Sequence, residues 1–168
     1  MPAGHWFRTC SLILLSMKIM LDAAKTVKSK KILVVDDDAV VVSGLSTKLK
    51  GSGYLVLVAT DGSEAVSISR REKPDLILLD ITFPPDVGHG GGVPWDGFLI
   101  MQWLRRLDEV KNIPIIIIGG NVSVDCKGRS IALGAVGYFH KPINNDELLA
   151  LIGKTLGENS QEIDTPGT

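Results

Sequence analysis

Three apolar runs in this chain end in charged groups. KILVV (31–35) meets Asp36, Asp37 and Asp38, DLILLD (75–80) closes on Asp80, and AVGYFH (135–140) is followed by Lys141 and Pro142. One Asp at a strand end is ordinarily just solvated. Several carboxylates and a lysine, all delivered to carboxyl ends, point to chemistry. Carboxylates held close together repel and desolvate poorly, and a hard divalent cation resolves that conflict. Oxygen ligands suit Mg²⁺, which keeps several of its waters. One carboxylate of such a group can act as a nucleophile, as in enzymes that form an aspartyl phosphate. A lysine opposite it can neutralise phosphoryl charge, and backbone N–H groups in the following loops can hold the phosphoryl oxygens. The reaction expected is in-line phosphoryl transfer onto an Asp, followed by hydrolysis.

These groups meet only if the elements between them bring the strand ends to one edge. YLVLVA (54–59) and PIIII (114–118) complete a set of five apolar runs. Between them lie helical stripes: Val41, Leu45 and Leu49; Ala65 and Ile68; Ile100, Trp103, Leu104 and Leu107; and Leu148, Ile152 and Leu156. Asp61 with Glu64, and Asn144 with Glu147, have the spacing of capping boxes. SVDCKGRSIALG gives a short, weak helix containing Gly128 and closing near Gly134. The order is (βα)5. Unbroken apolar strands alternating with amphipathic helices predict an α/β fold, a doubly wound five-stranded parallel sheet covered on both faces. Ligands of such sheets sit beyond the carboxyl ends of the strands, near the switch point.

The chain has 168 residues, enough for one domain with its own core, and its 45% hydrophobic and 22% charged residues read as globular rather than disordered. A net charge of −1 exerts no global pull on nucleic acid or anionic membrane. Two cysteines, Cys10 and Cys126, with no CxxC read as free thiols in a reducing cytoplasm. Residues 1–29 form an N-terminal extension, partly disordered or helical. Its apolar run SLILLSMKIML is broken by Lys18 and is too short to span a bilayer. Residues 158–168 are polar, with Pro166 and Gly167, and read as a flexible tail.

VVDDD, DLILLD, PIIII and YFHKP, in this order and with DGSEA after the second strand, resemble the receiver domain of two-component response regulators. The resemblance covers residues 30–157 and rests on the ordered set, since no single piece is specific. It implies the flavodoxin-like sheet with strand order 2-1-3-4-5 and a dependence on Mg²⁺. It makes Asp80 the phosphoacceptor, Asp37 a direct Mg²⁺ ligand and Asp36 its partner through water. The Thr82 carbonyl becomes a further metal ligand, while the N–H groups of Thr82 and Gly120 face the phosphoryl group. Lys141 contacts Asp80 and then its phosphate, with Pro142 following through a cis bond. Tyr138 stands where the family keeps an aromatic residue that swings inward on phosphorylation.

Two departures stand out. Where the family usually has Ser or Thr after the fourth strand, this chain has Gly119, which removes one charge-assisted hydrogen bond of roughly 1.5–3 kcal/mol. The link from phosphate to Tyr138 is weakened, and Ser123 is the nearest alternative hydroxyl downstream. Asp96-Gly97, the turn that normally follows the phosphoacceptor closely, comes late, after an 83–95 insertion containing PPDVGHGGGVP. His89 in that insertion reads as a loop residue in water.

The function implied is a stand-alone receiver that accepts a phosphoryl group on Asp80 from a histidine kinase or phosphotransfer protein. It would signal to a downstream protein target through protein–protein contacts, with no direct nucleic-acid contact, no membrane span, a cytoplasmic location and room for a homodimer. Its catalysis would extend at most to Mg-dependent self-phosphorylation and autodephosphorylation. One alternative is a phosphorylation-independent interaction module, favoured by Gly119 and the insertion. The other is a small phosphatase of the haloacid dehalogenase type, reading Asp36 to Val40 as D-x-D-x-V. Gly119 counts against it, because that family wants Ser or Thr at the end of a later strand.

Overall fold

Each apolar run becomes a strand: β1 (Lys31–Val35), β2 (Leu55–Ala59), β3 (Leu76–Asp80), β4 (Ile115–Gly119) and β5 (Gly137–His140). Alternating with them are α1 (Ala39–Gly51), α2 (Gly62–Glu72), α3 (Gly97–Arg106), α4 (Val124–Ala132) and α5 (Asn145–Leu156). The computed structural model describes residues 29–82, 96–120 and 124–158. The strands form one parallel sheet in the order β2-β1-β3-β4-β5, which is the doubly wound arrangement expected. The insertion at 83–95, with His89, and also Ser123, Cys10 and residues 1–28 lie outside the described residues.

Side-chain alternation along the strands divides the core in two. Leu33, Val35, Ile77, Leu79, Ile115 and Ile117 face a layer containing Ala65 and Ile68 of α2 and Ile100, Met101 and Leu104 of α3. Ile32, Val34, Leu76, Leu78, Ile116 and Ile118 face Leu45 and Leu49 of α1 and Leu148 and Ile152 of α5. The central strands β3 and β4 are buried throughout, whereas β2 and β5 at the edges are only partly so. That difference explains why the central runs are unbroken Ile and Leu.

Both N-caps form, with each glutamate three residues on bonding a neighbouring group in place of the cap residue's own backbone N–H. Asp61 Oδ1 accepts from the Glu64 N–H at 2.7 Å, and Glu64 Oε2 reaches back to the Thr60 N–H at 2.8 Å. Asn144 Oδ1 accepts from the N–H groups of Asp146 and Glu147, while its Nδ2 donates to Glu147 Oε1 at 2.8 Å. The stripe of α3 is rotated from the expected one. Phe98, Ile100, Met101 and Leu104 are buried and Trp103 is 43% exposed. Phe98 and Met101 join Ile100 and Leu104 on the inner face and centre it away from Trp103, while Leu107, just past the helix end at Arg106, still packs partly buried against the core.

Two devices hold the edge of the sheet away from the strand carboxyl ends. The Arg105 guanidinium donates to the carbonyls of Lys111 (2.5 Å), Ile113 (2.8 Å) and Gly134 (2.9 Å), tying the approaches to β4 and β5 together. Tyr54, before β2, donates its hydroxyl to Glu158 Oε2 at 2.6 Å, joining the end of α5 to the start of β2. Among the described residues, no helix is long and apolar enough to cross a membrane.

Candidate functional site

Register decides which carboxylates meet. Val35 pairs with Leu79 across β1 and β3, so the next residues, Asp36 and Asp80, leave the sheet side by side. Asp80 in turn pairs with Ile118, which sets Gly119 level with the residue after it, and Gly119 pairs with His140. The Lys141 N–H donates to the Gly119 carbonyl at 2.8 Å, extending that ladder to the lysine.

The result is a tight ionic cluster. Lys141 Nζ donates to Asp80 Oδ2 at 2.6 Å and to Asp36 Oδ2 at 2.8 Å. Asp36 and Asp80 are 1% and 2% exposed, while Asp37 beside them is open to solvent. Carboxylate oxygens of Asp36, Asp37 and Asp80 lie within 4.8 Å of one another. Burial pushes the Asp36 carboxyl above its ordinary range, against the pull of its bonds from Lys141 and the Asp38 N–H. Burial also works against the Lys141 ammonium, but its two carboxylate partners outweigh that effect and hold its pKa above the usual lysine value.

One ammonium against three carboxylates leaves negative charge in excess, concentrated on hard oxygen donors and open on the Asp37 side. That donor set fits Mg²⁺, which takes carboxylate oxygens and keeps water on its remaining faces. Thr82 adds donors to Asp80, since its N–H reaches Asp80 Oδ1 at 2.8 Å and its hydroxyl reaches the same oxygen at 2.7 Å. Lys141–Pro142 is the cis peptide bond expected. Gly119 closes β4, and Gly120 follows with open space around its Cα.

Two features were not legible in the sequence, and a third was missed although it had a signal. Lys141 binds Asp36 as well as Asp80. The Thr82 hydroxyl, rather than its backbone alone, touches the carboxylate. Asp38 does not join Asp36, Asp37 and Asp80 in the acidic group: its side chain caps α1, accepting from the Val40 N–H at 2.8 Å, and its own N–H donates to Asp36 Oδ1 at 2.9 Å. The capping role had a signal, an Asp directly before a helical stripe.

Tyr138 stands beside this cluster with its hydroxyl buried and no hydrogen-bond partner among the described residues. Its ring meets His140 edge to face at 5.0 Å. Burial raises its pKa, with smaller contributions from Cys126 and Asp80.

A parallel sheet ordered 2-1-3-4-5 with an acidic pair and a lysine at its carboxyl edge defines a class, and residues 32–153 match the response regulator receiver domain. The chain belongs to the family of response regulator receiver domains. It is 32% identical over 155 residues to the transcriptional regulatory protein PrrA of Mycobacterium tuberculosis, covering 84% of this chain and 62% of PrrA. It is 36% identical over 124 residues to the alkaline phosphatase synthesis transcriptional regulatory protein PhoP of Bacillus subtilis, covering 74% and 47%. Among solved structures it is similar to the chemotaxis protein CheY4 of Vibrio cholerae, with TM-score 0.66 and 29% identity over 76% of this chain and 98% of that one. The receiver domain of the Francisella response regulator 1452 has TM-score 0.66 and 27% identity over 79% and 100%. The chain spans about half the length of the curated relatives it matches.

Proposed function

We propose that this receiver accepts a phosphoryl group on Asp80 from a histidine kinase or phosphotransfer protein and passes the change to a protein target. The observation that carries this reading is the Lys141 ammonium held between Asp80 and Asp36 at the carboxyl edge of the sheet. An Asp80 carboxylate oxygen attacks phosphorus and forms a new O–P bond. The bond from phosphorus to the donor breaks, and the donor leaves with its electron pair. Lys141 would then follow the charge from the carboxylate to the phosphoryl oxygens, to which the N–H groups of Thr82 and Gly120 would donate. Hydrolysis by water returns Asp80 and releases phosphate. Asp36, Asp37, Asp80 and the Thr82 carbonyl are the groups that would hold Mg²⁺, whose bound charge screens the carboxylates from the incoming phosphoryl anion.

The receiver unit in this reading spans 30–157, flanked by an extension and a tail, and works in the cytoplasm. Its contacts run through proteins, with the β4–α4–β5–α5 face as the output surface. The relatives are named as transcriptional regulators, so gene control is the setting we favour for the signal. The dehalogenase-type reading has less support, because Gly119 ends β4 where that family wants Ser or Thr.

The test is mass spectrometry after incubation with a small phosphodonor and Mg²⁺. Wild type is expected to gain one phosphoryl group, and Asp80→Asn none. Equal gain by Asp80→Asn would move the acceptor elsewhere. No gain by wild type from either a small donor or a kinase would favour the phosphorylation-independent module.

A further inference from the structure

The space that a side chain at position 119 would fill is occupied by Tyr138. A Cβ built on Gly119 would lie 2.5 Å from Tyr138 Oη, closer than real Cβ contacts, and a tight 3.2 Å from both Tyr138 Cζ and Ile81 Cγ1. The tyrosine hydroxyl therefore sits over the end of β4, beside the residue that follows Asp80. It is shielded from solvent and bonded to nothing among the described residues. A buried hydroxyl has a donor and two acceptor sites to satisfy, and leaving them unused is costly. The neighbouring Gly119 has no polar side-chain atom to offer, and Ile81 is apolar.

We propose that the Tyr138 hydroxyl stands in for the hydroxyl missing at Gly119 and donates to the phosphoryl group carried by Asp80. This rests on the reading of Asp80 as acceptor. In this arrangement Tyr138 is inward before any phosphoryl group arrives, because glycine leaves the room, and what arrives is the acceptor for its hydrogen bond. The ring is then a direct phosphoryl contact and not merely a reporter moved by a neighbour. The two halves of the proposal support each other: the glycine is needed for the hydroxyl to reach the edge, and the unpartnered hydroxyl needs a ligand there. Burial is the main cause of the raised Tyr138 pKa, with smaller parts from Cys126 and Asp80.

The experiment measures beryllofluoride binding, with Mg²⁺, by ¹⁹F NMR in the full chain and its variants. Tyr138→Phe keeps the ring and removes the donor, and it is expected to bind about tenfold more weakly, the loss of one hydrogen bond to a charged group. Gly119→Ser brings its own hydroxyl and excludes Tyr138 from the site, so in that background Tyr138→Phe is expected to be silent. With ¹³Cζ-labelled tyrosine, the Tyr138 resonance is expected to shift on beryllofluoride binding, while that of Tyr54, at the opposite edge of the sheet, stays fixed. Wild-type affinity in Tyr138→Phe, or a full tenfold loss that persists in the Gly119→Ser background, would overturn the proposal while leaving Asp80 as acceptor. Wild type that binds no beryllofluoride, or Asp80→Asn that binds equally, would overturn the acceptor reading and this inference with it.

Discussion

Lys141 is the residue on which the site's electrostatics turn. It bridges two nearly buried carboxylates, and its own side chain is 23% exposed. Removing one partner of a buried ionic group leaves the others uncompensated and costs about 3–5 kcal/mol, less where water reaches the group. Lys141→Met is therefore expected to lower unfolding stability by about 2 kcal/mol without Mg²⁺, read from urea denaturation. Adding Asp80→Asn should recover part of that loss, because the like charge facing Asp36 has gone. At this scale the sequence was informative where a residue's position alone sets its role. Asp36, Asp80 and Lys141 follow apolar runs whose register brings their ends together. It was silent where a rotamer decides. Nothing in D-I-T shows that the Thr82 hydroxyl turns to Asp80, and GYFH reads the same whether Tyr138 points inward or outward.

The elements around the site differ in how closely they approach it. The first turn of α3 presses on the backbone of Asp80 and Ile81, since a Cβ on Gly97 would fall within van der Waals overlap of the Asp80 carbonyl oxygen and the Ile81 Cα. Gly97→Ala must push α3 away from β3 or distort the strand end, a misfit of about 1–3 kcal/mol. Gly44, mid-helix in α1, has nothing within 4 Å of its built Cβ. Gly44→Ala is expected to stabilise the fold by about 1 kcal/mol through helix propensity. Opposite signs for the two substitutions in thermal or urea unfolding are the expected outcome, and equal signs would contradict the packing described. Element type and order were readable from periodicity and caps. The inner face of α3 was not, because Trp103 fits an apolar stripe by spacing as well as Phe98 and Met101 do, and only packing selects the latter pair.

For the molecule as a whole, the Tyr54–Glu158 bond joins segments 104 residues apart. Burial first, then the hydrogen bond to Glu158 and its negative charge, raise the Tyr54 pKa above its ordinary value of 10.0. Above about pH 10 the unfolded chain releases this proton while the folded chain keeps it, so stability falls as pH rises there. Tyr54→Phe is expected to be less stable near neutral pH by about 1–2 kcal/mol and to have a flatter stability slope above pH 10. Parallel denaturation series from pH 8 upward, on the order of half a unit apart, would check the sign. The doubly wound architecture was open to sequence reasoning because five apolar runs alternate with four amphipathic stripes and one weaker helix. This long-range bond was not, since neither residue belongs to a periodic pattern that implies the other.

The four consecutive isoleucines of β4 alternate between the two halves of the core: Ile115 and Ile117 face α2 and α3, and Ile116 and Ile118 face α1 and α5. The strand is thus a party wall. Sliding it along its axis drags neighbours in both rooms, so a disturbance arriving at Gly119 has no private side on which to be absorbed. A substitution that shifts β4 along its axis must therefore be repacked on both faces of the sheet.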